Sequence, residues 1–147
     1  MNKTKMIIMI TAAIFLFVSL GYCQELSDRE LKIFYDAAWQ LIRAEYLFSR
    51  DPNVADEEYE QNVMQQLLSQ NGITLEQLED IIDRGNNMPF TATEEQISKE
   101  LKAKITDNLT ADEFFATLND LANKYGISVG QVSTVFSRNI LRDYEEE

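Results

Sequence analysis

The sequence predicts an all-α protein, a compact bundle of five to six short helices in one domain. Apolar side chains recur every three or four residues in successive segments, which is the pattern of helices with one buried face. Most segments open with Ser or Thr followed three residues later by Glu or Gln, the capping box of a helix N-terminus. No segment alternates polar and apolar residues cleanly, so no strand is expected.

Local signals place the predicted helices in order along the chain. Ser27 and Glu30 form the capping box of the first helix, which is expected from about Asp28 to Ser49. The second is expected from about Val54 to Gln70, after Pro52, because proline is tolerated in a first helical turn. The remaining four are expected to begin after Thr74, Thr93, Thr110 and Ser128.

Two corners share one pattern. A helix ends at Gly72 or Gly126, an Ile follows, and Thr or Ser opens the next helix; glycine readily adopts the left-handed C-cap conformation. The match indicates an internal duplication, with possible halves 27–84 and 93–142 joined near Gly85–Pro89. The alternative is that any tight corner between capped helices selects these residue types. The expected core is Phe34, Ala38, Leu41, Ile42, Val63, Leu67, Leu78, Ile81, Phe114, Leu118, Leu121, Val132, Val135 and Phe136.

Residues 1–23 have the features of a secretory signal peptide. A basic start is followed by an apolar run from Met6 to Leu20 and by small residues before Cys23. The run is shorter than the roughly 20 apolar residues that a membrane span needs. Three routes stay open: plain cleavage, lipidation of Cys23 in a setting similar to a bacterial lipobox, and an uncleaved anchor. The helical domain, 24–142, is therefore expected in the periplasm or cell envelope, lipid-anchored or secreted.

The chain is strongly acidic, with 25 Asp and Glu residues against 13 Lys and Arg residues and a net charge of −12. It offers no basic patch to neutralise phosphates, so neither nucleic acids nor anionic membrane surfaces are expected partners. Contact with a membrane is expected only through a lipid at Cys23. Residues 143–147 are predicted to form a solvated acidic tail.

Side chains that commonly support catalysis or metal binding are scarce. The chain has no His, and its one Cys lies in the leader, so chemistry based on His or Cys is not expected. No catalytic residue, metal site or cofactor is predicted, and the chain is expected not to be an enzyme. Carboxylates are numerous, however, and a small carboxylate-dependent hydrolase of the envelope is the alternative function.

The segment Gln70–Leu78, which reads Gln-Asn-Gly-Ile-Thr-Leu-Glu-Gln-Leu, and the segment Ile97–Leu101 resemble the helical chaperone region of periplasmic SurA-type proteins. An aromatic-rich first helix followed by a helix ending in Asn-Gly-Ile-Thr is also similar to small, uncharacterised helical envelope lipoproteins. The first resemblance implies a helical binding protein without the isomerase domain of that family. The second implies only an envelope location.

The first helix is apolar on nearly every face, so it is either wrapped by the other helices or needs a partner. Tyr35, Trp39, Ile42 and Tyr46 lie three or four residues apart and would share one face. We predict these four as partner-binding residues, with burial in the core as the alternative. The predicted function is an exported, non-enzymatic envelope protein that binds a protein or peptide partner, in a chaperone-like or structural role; its oligomeric state is left open.

Overall fold

Six helices make up the part of the chain that the structure describes. The computed structural model describes residues 25–50 and 56–145, with side chains placed for residues 25–44 and 61–143. The helices are α1 (Asp28–Arg50), α2 (Asp56–Asn71), α3 (Leu75–Asn87), α4 (Ala92–Lys104), α5 (Ala111–Tyr125) and α6 (Val129–Glu145). No strand occurs within these ranges, so the predicted all-α fold class is confirmed.

The helices form two sets of three, and α1 lies against α6 where the sets meet. In the first half, α2 and α3 pack on α1; in the second half, α4 and α5 pack on α6. The long helix α1 contributes to both apolar clusters, because Phe34 lies in the first and Ile42 in the second. Every predicted core residue is buried except Val63, which is half-buried.

Both predicted corners are confirmed. Gly72 and Gly126 have positive φ angles of 61° and 65°, a conformation that L side chains rarely adopt. In each corner the Ile after the glycine donates its N–H to the carbonyl five residues earlier, at 3.1 Å, which satisfies an end of the preceding helix. Thr74 and Thr110 cap α3 and α5 with the predicted capping boxes.

The fourth helix begins two residues earlier than predicted, with Thr91 rather than Thr93 as its N-cap. Thr91 Oγ1 accepts from the Glu94 N–H at 3.1 Å, and Glu94 Oε2 accepts from the Thr91 N–H at 3.0 Å. Both threonines are followed three residues later by Glu or Gln, so the local pattern did not distinguish them. The Arg138 guanidinium pairs with Glu94 in the interior, and this contact favours Thr91 as the N-cap, because Glu94 is the carboxylate of the Thr91 capping box.

The predicted joint at Gly85–Pro89 starts later, because α3 continues to Asn87. Gly85 is buried within the helix, and a Cβ built there would lie 2.6 Å from Phe34 Cε2. This glycine therefore permits close packing of an aromatic ring instead of ending a helix. Its sequence context, beside two Asn residues and shortly before Pro89, is nevertheless typical of a breaker.

The last helix extends into the predicted acidic tail. The end of α6 is Glu145, and Asp143 accepts a hydrogen bond from Lys102 Nζ at 2.7 Å. The first residues of the segment 143–147 therefore continue the helix, and residues 146–147 lie outside the described part.

Because α4 begins after Thr91, the two halves contain the same contact, an arginine bound to the carboxylate of a capping box. Arg84 of α3 binds Glu30, the capping-box carboxylate of α1, and donates to a carbonyl just before that helix at 3.4 Å. Arg138 of α6 binds Glu94, the capping-box carboxylate of α4, and donates to a carbonyl just before that helix; both distances are 3.3 Å. We call these contacts the arginine clamps. The first helices of the two halves therefore make corresponding contacts, and the internal duplication stays a prediction.

Replacing Gly85 by Ala tests the packing of α3 on α1. In an unhindered helix interior, alanine is favoured over glycine by about 1 kcal/mol. At position 85 the added methyl group would meet the Phe34 ring, and we expect a net loss of about 1–3 kcal/mol in the free energy of unfolding. Urea unfolding followed by circular dichroism measures this change. The variant Phe34→Leu/Gly85→Ala should lose less than the two single losses combined, and a gain of stability in Gly85→Ala alone would contradict the contact.

Candidate functional site

The four residues predicted to bind a partner do not form one exposed face. Tyr35 and Trp39 are half-buried, whereas Ile42 is 3% exposed and packs in the second apolar cluster. Tyr46 lies in the stretch of α1 whose side chains are outside the described set. Ile42 therefore offers no surface to a partner in this fold, because α1 crosses onto the second half at that point, while Trp39 stays within reach of solvent.

Trp39 forms a partly exposed cluster with one residue of its own helix and one of α5. Its ring meets the ring of Phe115 edge to face, with centroids 5.6 Å apart and an interplanar angle of 70°. The Arg43 guanidinium carbon lies 5.6 Å from the Trp39 ring centroid, within the range of a cation–π contact. Arg43 is exposed and Phe115 is half-buried. We call Trp39, Arg43 and Phe115 the aromatic patch.

Tyr35 belongs to the interface between α1 and α6. Burial raises the pKa of its phenol, and the negative charge of Glu94 raises it further. At the same crossing, a Cβ built on Gly130 of α6 would lie 2.5 Å from the Tyr35 carbonyl oxygen. The missing side chain at Gly130 thus lets the two helix backbones approach closely. The position of Tyr35 is explained by helix packing without any partner.

The clamp between Arg138 and Glu94 is the polar centre that sequence reasoning missed, and each residue is 2% exposed. Besides the clamp, Glu94 accepts from Gln131 Nε2 at 3.1 Å, and Arg138 donates from Nε to the Thr134 carbonyl at 3.3 Å. Burial lowers the pKa of Arg138, and the neighbouring Glu94 charge opposes that shift. The matching positions of Arg84 and Arg138 after the two corners are the sequence signal that could have revealed it.

The described carboxylates with clearly shifted pKa values all favour the ionised form. The hydrogen bond from Arg84 is the main cause that lowers the pKa of Glu30 to about 2. The hydrogen bond from Lys124 does the same for Glu100, whose pKa is also about 2, and the pKa of Glu113 is lowered by its capping contact. General acid catalysis at neutral pH needs the opposite shift. Among the described residues, no group of three or more His, Cys, Asp or Glu could hold a metal ion.

A groove of about 570 Å³ lies between the start of α1 and the start of α3. We call it the α1–α3 groove, and its lining comes from around the start of α1, with Ser27, Arg29, Glu30 and Ile33, and from around the start of α3, with Ile73, Glu76, Gln77, Asp80 and Ile81. The isoleucines form an apolar floor that is buried or half-buried, whereas Glu76 and Asp80 are exposed on the α3 side. Asp80 accepts a hydrogen bond from Arg84 Nε at 2.9 Å, and the exposed Arg29 on the α1 side donates to the Asn71 carbonyl at 2.6 Å. The groove therefore combines an apolar base with an acidic edge on its α3 side and a cation, Arg29, on its α1 side.

Comparison with protein-family models, with curated proteins and with solved structures gave no match. None of the described helices is both long and apolar enough to cross a membrane. Cys23, the predicted lipidation site, lies with the rest of the leader outside the described residues. The assignment of a function therefore depends on the surfaces described above.

Replacing Arg138 by Met tests the buried clamp. The change leaves the Glu94 carboxylate in the interior without its cation, and we expect a loss of about 3–5 kcal/mol in the free energy of unfolding. The double variant Glu94→Gln/Arg138→Met removes both charges and should recover much of that loss. Urea unfolding of the two single variants and the double variant measures the coupling.

The other half supplies the matched control. In the Arg84–Glu30 clamp the side chains are 15% and 30% exposed, so water can hydrate the carboxylate when its partner is removed. Arg84→Met should therefore cost clearly less than Arg138→Met. Equal losses for the two variants would contradict the assignment of the second clamp as the buried one.

Proposed function

We propose that this chain is an exported, non-enzymatic protein of the cell envelope that binds a protein or peptide partner, in a chaperone-like or structural role. The observation that carries the proposal is the aromatic patch. Trp39 is half-buried there, with the Phe115 ring packed edge to face against it and the exposed Arg43 beside it. Tryptophan and arginine are the residue types that most often dominate protein interfaces.

The geometry of the patch suits a binding surface. The edge-to-face contact with Phe115 holds the Trp39 ring in place, so little conformational freedom would be lost when a partner covers it. Arg43 lies one helical turn after Trp39 and can supply hydrogen bonds at the rim of a contact. A partner that inserts an apolar side chain beside Trp39 and a carboxylate or carbonyl beside Arg43 would match the patch.

The described carboxylates with shifted pKa values offer no support for the alternative function, a carboxylate-dependent hydrolase. Glu30, Glu100 and Glu113 are held ionised by cations or by helix capping. A hydrolase based on two carboxylates needs one that stays protonated near neutral pH. The exported location is supported by the pattern of residues 1–23, and the acidic composition suits a soluble domain outside the cytosol.

The state of the mature N-terminus tests the location. We expect the protein to be cleaved after Gly21 or Cys23, or to begin with a lipid-modified Cys23, because the basic start and the apolar run form an export signal. Intact-mass spectrometry of the protein from membrane and soluble envelope fractions distinguishes these forms. An intact Met1 in a soluble cytosolic fraction would refute export.

The Arg43→Ala variant tests the patch. Arg43 is exposed, so its loss should change the free energy of unfolding by less than about 0.5 kcal/mol. If the patch binds a partner, affinity should fall about tenfold or more, the effect of losing an interface anchor. Trp39 is the only tryptophan of the chain, so its fluorescence reports on the patch directly. The probe is reduced, carboxymethylated ribonuclease A, an unfolded protein without tryptophan, together with an array of short peptides.

The matched control is Arg142→Ala. Arg142 is another exposed arginine over an aromatic ring, 3.8 Å from the ring centroid of Phe90, but it lies on α6 away from the patch. It should leave the Trp39 emission and the affinity unchanged. The proposal fails if neither the unfolded protein nor any peptide shifts the Trp39 emission, or if Arg43→Ala and Arg142→Ala have the same effect.

A further inference from the structure

The second half of the molecule shows how a helix is seated on one of these three-helix units. Helix α1 crosses α6 at Gly130, where the backbones are close enough that a Cβ would lie 2.8 Å from the Tyr35 carbonyl carbon. The neighbouring face of α6 consists of small polar side chains, Ser133, Thr134 and Ser137, which are at most 1% exposed. Helix α6 therefore has a face on which another helix can pack closely, and α1 packs there. We call such a face a helix seat.

The first half has the corresponding seat on α3. The corners at Gly72 and Gly126 have the same geometry, and Arg84 and Arg138 hold corresponding capping-box carboxylates. Counting from the two corner glycines, Glu76 corresponds to Gly130 and Asp80 to Thr134. In the second half these positions lie beneath or beside α1, whereas in the first half they are exposed and line the α1–α3 groove.

We propose that the α1–α3 groove binds a positively charged amphipathic helix of a partner protein, laid on α3 as α1 lies on α6. The apolar floor of Ile33, Ile73 and Ile81 would receive the apolar face of that helix. The α3 edge would receive its Lys or Arg side chains, mainly at Glu76, because Asp80 is already paired with Arg84 and Arg29 lies on the α1 side. This surface is separate from the aromatic patch, so the inference goes beyond the proposed function and does not depend on it.

At the positions where α6 has small residues, α3 has carboxylates. These carboxylates determine which kind of helix can bind there. Glu76 stands where Gly130 permits backbone contact, so a helix on α3 must lie farther away than α1 does on α6. Long basic side chains span such a gap and carry the complementary charge. Glu79 extends the negative edge by one turn, and within the described residues neither it nor Glu76 forms an ion pair. Both carboxylates are therefore free to meet a cation.

A second copy of the chain does not fit this seat. The segment of α1 around Tyr35 that would have to occupy it already packs on α6 of its own molecule. The net charge of −12 also opposes the approach of two acidic faces. The partner is therefore a different protein with a basic helix.

The test uses the purified mature protein and the amphipathic peptide LKKLLKLLKKLLKL, with the peptide LEELLELLEELLEL as its acidic counterpart. Because any acidic surface attracts a basic peptide, the position of binding matters as much as the affinity. Amide chemical-shift changes in nuclear magnetic resonance spectra should concentrate at Ile73, Gln77 and Ile81. The corresponding residues of the second half, Ile127, Gln131 and Val135, should change little. The acidic peptide should not bind.

Matched charge reversals complete the experiment. Glu76→Lys should weaken binding of the basic peptide about tenfold. Asp120→Lys, the same change of charge at an exposed site on α5, should weaken it less than about twofold. Arg43→Ala should leave the affinity unchanged, which separates this site from the aromatic patch. The proposal is overturned if the shifts spread over the acidic surface or gather at Trp39, if the two charge reversals act equally, or if no binding occurs.

Discussion

Arg138 and Glu94 meet where water does not reach, and the places of several surrounding segments depend on that contact. Burying an ion pair is costly unless the remaining donors and acceptors are also satisfied. Here the main chain before α4, Gln131 and Thr134 supply those partners. The clamp therefore sets the start of α4 against α6 and fixes the connection that leads into α4. Because Tyr35 lies beside the same charges, the seating of α1 is tied to the clamp as well.

The two halves share the arrangement of capping boxes, glycine corners and arginine clamps, but they differ in the side chains that pack between their helices. Counting from the capping boxes and the corners, Phe34 corresponds to Ser98, and Gly85 corresponds to Asn139. In the first half the aromatic ring packs on the glycine; in the second, Ser98 Oγ donates to Asn139 Oδ1 at 2.6 Å. A large–small pair in one half thus corresponds to a hydrogen-bonded pair in the other. Such paired exchange is what close packing requires, since either residue changed alone would leave a void or a clash.

The length of α1 is the main departure from the repeat. It has 23 residues, whereas its counterpart α4 has 13. The additional turns of α1 bring Ile42 into the second cluster and carry Arg43 of the aromatic patch. The extension thus adds to the contact that α1 already makes with α6 at Tyr35, and it places Arg43 beside Trp39 in the aromatic patch. The contacts of α1 with both apolar clusters also account for its many apolar side chains, for which the sequence left open a central helix or a binding helix.

Much of the fold could be predicted from the sequence, because helix caps and glycine corners depend on side chains only a few residues apart. The glycine corners, the boxes at Thr74 and Thr110, and most of the core depend on the order of neighbouring side chains alone. The choice of Thr91 over Thr93, by contrast, depends on Arg138, which is distant in the sequence. The same holds for Gly85, whose purpose appears only when Phe34 is placed beside it. Burial of the small polar residues on α6 likewise requires knowledge of the helix that covers them.

The two helices that follow the glycine corners, α6 and α3, differ in whether another helix can pack closely on them. On α6, glycine, serine and threonine create a face that another helix can approach closely, and α1 covers it. On α3, Glu76, Glu79 and Asp80 occupy the corresponding face and remain exposed. Like charges there oppose the addition of another acidic unit of the same kind, as polar outer faces do at the ends of repeat proteins. Of these carboxylates, Glu76 and Asp80 border the apolar floor of the α1–α3 groove on its α3 side, and they are the reason why we propose a basic helix as its occupant.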